Sequence, residues 1–64
     1  MLRISKEKVN VIMARKMWDI SELANNYGAS RARIGQIFNS NNVTPVCAGR
    51  MAKALGVDVT DIIE

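Results

Sequence analysis

The chain has 64 residues, 48% hydrophobic and 23% charged, with nine Lys and Arg against six Asp and Glu for a net charge of +3. That length holds one small domain, burying only about 60% of the surface its unfolded chain exposes, and the apolar fraction excludes a disordered polyelectrolyte. With no histidine, one cysteine and no carboxylates at ligand spacing, an internal disulfide and a zinc site are excluded.

Ser5 caps a first helix over 6–17, with Val9, Ile12 and Met13 turned inward. Asp19 stands three residues before Glu22, a capping-box spacing, and Trp18 and Leu23 take the staple positions on either side. The second helix, 20–27, carries an inward stripe of Leu23, Ala24 and Tyr27 and ends at Gly28, which supplies the left-handed residue. Two residues later Ser30 caps a third helix, 31–39, whose Ile34, Ile37 and Phe38 recur at helical spacing. A turn this short forces the two helices to cross steeply, as in a helix-turn-helix.

Residues 40–43 form a loop by composition. Thr44 as cap and Pro45 at the first helical position start a fourth helix. Ala48, Met51, Ala52 and Leu55 recur along it at i, i+3, i+4 and i+7, and Gly56 closes it. Asp58, with Asp61 in its first turn and a Val57–Ile62 staple, predicts a fifth, short helix. The expected fold is all-α, a compact bundle of five short helices in one domain over 1–64, with no strand. Gly35 and Gly49 fall inside helices, where each costs about 1 kcal/mol relative to Ala. Close approach of DNA or of the second helix would explain Gly35; nothing in the sequence explains Gly49.

If Ile34, Ile37 and Phe38 are the buried side of the third helix, Ala32, Gln36 and Asn39 lie opposite, with Arg31 and Arg33 flanking them in the first turn. Gln can hydrogen-bond an adenine edge twice and Arg a guanine edge, which suits the major groove. Ser30 can cap its helix and reach a phosphate. Asn39, Ser40, Asn41 and Asn42 follow as a polar, uncharged run, read either as close neighbours of the DNA backbone or as plain turn chemistry. Cys47 and Trp18 are read as packing residues. No nucleophile has a partner base and no glycine-rich phosphate loop is present, so neither enzymatic activity nor a cofactor is expected. No apolar run of signal-peptide length opens the chain and none approaches the roughly 20 residues that cross a bilayer, so a cytoplasmic protein with no membrane contact is expected.

The segments SELANNYGASRARIGQI and VTPVCAGRMAKALGVDVTDII, within residues 6–63, resemble the lambda-repressor-like helix-turn-helix family of the Cro/C1 type. Members are mostly bacterial, phage and mobile-element transcription regulators, so the resemblance implies sequence-specific binding of duplex DNA without catalysis. It assigns base reading to Arg31, Ala32 and Gln36 and places Arg33 where contacts more often go to the backbone. Two positions depart from the family. Ile20 replaces a common phosphate-binding Gln, which shifts anchoring to Ser21 and the N–H groups at the helix start, with the N-terminal Lys and Arg as a second source. Met13 and Phe38 replace a frequent Arg–Glu pair, and we read them as an apolar contact inside the core, or else Phe38 as part of a protein interface.

A small transcription regulator of phage or mobile-element type is therefore expected, binding an inverted repeat as two copies that associate weakly in the absence of DNA. The alternatives are an architectural or excision-directing DNA-bending factor, and an antirepressor-like module that holds a regulator protein. Ile20, Phe38, Val46 and Val59, if exposed together, would favour that last reading.

Overall fold

A computed structural model of the chain describes residues 2–64. Four α-helices follow in order: α1 (Lys6–Lys16), α2 (Ile20–Tyr27), α3 (Arg31–Asn39) and α4 (Pro45–Leu55). Each starts where a short polar side chain can accept from a backbone N–H left orphaned by the first turn. Ser5 Oγ accepts from Lys8 N, Asp19 Oδ1 from Glu22 N, Ser30 Oγ from Arg33 N and Thr44 Oγ1 from Cys47 N, at 3.0 to 3.3 Å. Gly28 and Gly56 end α2 and α4 at φ values of 89° and 73°. Gly28, Ala29 and Ser30 alone connect α2 to α3.

Every buried side chain among the described residues is apolar. Helix α4 supplies Ala48, Met51, Ala52 and Leu55 to that core, as its spacing predicts. Val9, Ile12 and Met13 reach it from α1, Leu23 and Ala24 from α2, and Ile34 and Ile37 from α3. Trp18 packs against the core from the side, half-buried, while its staple partner Leu23 is wholly enclosed.

Three expectations need correction. The last element is a single 3-10 turn, Val59–Asp61, rather than a fifth helix. A reciprocal capping box forms here between Asp58 and Asp61, whereas at Asp19, where the spacing predicts one, only the bond from Glu22 N to Asp19 is made. Ile62 is fully buried while Val57 packs half-buried against the core. The turn goes no further because the next residues are taken up by the start of the chain. Ile63 pairs with Ile4 in an antiparallel bridge, with Ser5 N donating to Ile62 O at 2.6 Å and Glu64 N to Arg3 O at 2.9 Å. On its other edge the same extended segment bridges Leu2 to Val43, Val43 N donating to Leu2 O at 2.8 Å. These are isolated bridges, and they bury Ile4 and Val43.

The second correction is Phe38. It is half-buried against the core rather than inside it, while Met13 is buried. The third concerns Gly35. A Cβ built there meets nothing within 4 Å, so close packing of α2 does not require the glycine, and the same holds at Gly49.

Met17 closes α1 in the left-handed conformation at φ 55°, the one non-glycine residue with positive φ among those described. Its N–H reaches Ala14 O and Trp18 N reaches Met13 O at 2.9 Å, so the cap is formed despite the cost of a Cβ there. The side chain is 92% exposed and gives back no packing. Met17→Gly is expected to stabilise the fold by about 1 kcal/mol, and Gly49→Ala by about the same from helix propensity. Urea unfolding curves of the two variants and of the pair check this; the two gains should add, because the sites share no partner.

Asp58 accepts from the backbone N–H and the hydroxyl of Thr60, both at 2.9 Å, and these bonds hold its carboxyl below the ordinary aspartate range. A depressed folded value means that the stabilisation is complete above the unfolded aspartate value of about 4 and is lost as the pH falls through the lower folded value. Asp58→Ala should therefore melt below the unsubstituted protein at pH 6, with the gap closing as the pH is lowered from 4 to 2. A gap independent of pH would show that the charge of Asp58 has no part in the cap.

Candidate nucleic-acid interface

Burial of Ile34 and Ile37 fixes which side of α3 faces outward. Arg31, Ala32, Arg33, Gln36 and Asn39 are all exposed on that side, with Gly35 half-exposed between them. Arg33 Nη1 donates to Gln36 Oε1 at 3.4 Å, a long contact that holds the two side chains side by side and that a better acceptor or donor would displace. Ser30 Oγ is occupied by its capping bond.

Behind this face a groove of about 150 Å³ runs between α3 and the start of α4. Arg33, Gln36, Ser40, Asn42 and Thr44 give it polar walls, and Ile37 and Val43 close its floor. Ser40 donates its hydroxyl to Asn42 O at 3.1 Å and accepts from Asn42 N at 3.3 Å, which locks the turn and leaves Asn41 and Asn42 exposed at its tip. Of the expected contact residues, the structure thus brings Arg33, Gln36 and Asn42 to one groove. Arg31, Ala32, Asn39 and Asn41 lie exposed outside it.

Ser21 stands apart. It is half-buried in the first turn of α2, between the exposed carboxylates of Asp19 and Glu22. Two negative charges at a helix start stabilise the helix dipole and repel a phosphate at the same place. The start of α4 has no acidic residue in its first turn, and its cap is the neutral Thr44. Between the two helix starts, the α4 end is electrostatically the better anion site. Ile20, the first residue of α2, packs half-buried against the core.

The cations are sorted in the same way. Arg3 is paired with Glu64 at 3.1 Å, and Lys8 Nζ donates to Ile63 O at 2.9 Å, so these N-terminal charges are spent tying the chain's ends together. From residue 23 to residue 57 there is no Asp or Glu at all, against Arg31, Arg33, Arg50 and Lys53. That carboxylate-free run was visible in the sequence, and Arg50 and Lys53 are the residues a motif-based reading passes over. Arg50 lies over the ring of Tyr27, its guanidinium carbon 5.0 Å from the centroid. Tyr27 Oη meets Cys47 Sγ at 3.5 Å. Burial and then this contact push the phenol above its ordinary value, against the pull of Arg50 and Arg33, so the ring stays neutral at physiological pH.

No helix among the described residues is long and apolar enough to cross a membrane. No protein-family model, curated protein or solved structure matches the chain.

Proposed function

We propose that this protein binds duplex DNA sequence-specifically, as a small helix-turn-helix regulator of transcription with α3 in the major groove. The observation that carries the reading is the outward face of α3: Arg31, Ala32 and Gln36 stand exposed on a helix capped by Ser30 and pinned by Ile34 and Ile37. A rigid helix presenting Arg and Gln can read guanine and adenine edges, and its N-terminal turn is the part that enters the groove in helix-turn-helix docking. Arg33, Asn39, Asn41 and Asn42 would take the adjoining backbone, with Ser30 and Ser21 as lesser contacts.

Two copies on an inverted repeat complete the proposal. Val57, Val59 and Ile63 are half-buried against the protein's own core and Ile62 is enclosed, which leaves them little area for a strong dimer without DNA. The antirepressor-like reading gains no support from its candidate patch. Of Ile20, Phe38, Val46 and Val59, only Val46 is largely exposed, at 71%.

The test starts from a preferred site obtained by selection from a random duplex library. Gln36→Ala should weaken binding to that site by roughly 1 to 3 kcal/mol and leave binding to a scrambled duplex nearly unchanged, because one paired base contact is lost and no phosphate contact is. Gly35→Ala should stabilise the free protein and weaken both complexes, since the added methyl meets only open space until DNA occupies it. Equal losses for Gln36→Ala on the two duplexes would remove α3 as the reader.

A further inference from the structure

We infer that a second phosphate-binding surface, formed by Arg50 and Lys53 of α4 beside Tyr27 of α2, extends the DNA contact beyond the segment read by α3. The inference rests on the duplex-binding reading above and adds to it a ligand group, the phosphodiester backbone flanking the half-site.

Asn26, Tyr27, Arg50, Lys53 and Ala54 line an open groove of about 370 Å³ between α2 and α4. Arg50 and Lys53 sit three apart on one helix face, where like charges repel. No carboxylate lies anywhere from residue 23 to residue 57 to relieve them, and the only ion pair among the described residues is the distant Arg3–Glu64. An arrangement that costs stability in the free protein is relieved by an anion. Arg50 is also held in place in advance: stacked on Tyr27, its planar guanidinium has less freedom to lose on binding than a free surface side chain.

The surface is continuous with the reading helix. The charges of Arg33 and Arg50 both act on Tyr27, and Cys47, which touches the Tyr27 hydroxyl, lines the groove that also holds Arg33 and Gln36. Cationic groups therefore run from α3 across Tyr27 to α4 without an intervening negative charge. A polyanion with regularly spaced phosphates fits such a ridge.

The experiment compares the double variant Arg50→Gln/Lys53→Gln with a charge-matched control, Arg15→Gln/Lys16→Gln on α1, in titrations of a duplex about two helical turns long across a range of salt concentration. Each lost phosphate contact lowers the steepness of log K against log salt by about 0.9. The α4 variant should lose about one to two in that slope on matched and scrambled duplexes alike, keep the ratio between them, and remain folded at the titration temperature by circular dichroism. The control should keep its slope. An unchanged slope for the α4 variant, or an equal fall in the control, overturns the inference while leaving the role of Gln36 intact. Absence of any salt-dependent duplex binding by the unsubstituted protein overturns both readings.

Discussion

Helix α4 is the post on which this fold is hung. Its buried stripe, Ala48, Met51, Ala52 and Leu55, meets α2 on one side and the 3-10 turn on the other, and α3 reaches the same core through Ile34 and Ile37. No polar side chain is buried among the described residues, so no buried side-chain network selects this packing over a slipped one. That selection falls to the helix ends. Four neutral or acidic caps set where each rod begins, and three left-handed closures set where α1, α2 and α4 stop, so the length over which each apolar stripe runs is fixed locally.

This explains what could be read from the sequence and what could not. Caps and stripes are local, and their signals lie within a few residues of the feature they determine. Ser5, Asp19, Ser30 and Thr44 each cap the helix they precede, and Gly28 and Gly56 each end one. The bridges of Leu2 to Val43 and of Ile4 to Ile63 join residues about forty and sixty positions apart, and two isolated pairs leave no alternating pattern to find. The stop of the last element after one turn depends on these bridges and so leaves no local signal. Met17 at a left-handed position carries no signal either, since nothing marks methionine for that conformation. The half-burial of Phe38 is hidden for another reason: helical periodicity names the side a residue lies on, but not how deeply the neighbouring elements cover it.

The candidate site was legible to the same degree. Exposure of Arg31, Gln36 and Arg33 followed from the opposite face being apolar. The groove that joins Arg33 and Gln36 to Asn42 and Thr44 depends on how the 40–43 loop folds back, which is a tertiary matter. Charge segregation is the intermediate case. The acidic residues are confined to the start of the chain, the start of α2 and the last seven positions, each serving a cap, a first turn or an end-to-end pair, so that every charged residue from 23 to 57 is positive without a large net charge.

The pairing of residues 3–5 with 62–64 has a geometric consequence. Both ends of the described chain emerge at one edge of the domain, next to each other, and because the pairing is antiparallel they lead away in the same direction. Anything joined covalently before residue 2 or after residue 64 leaves from the same spot. Copies strung in tandem would therefore hang from their linkers as pendants, each free to swing, rather than stack end to end into a stiff rod.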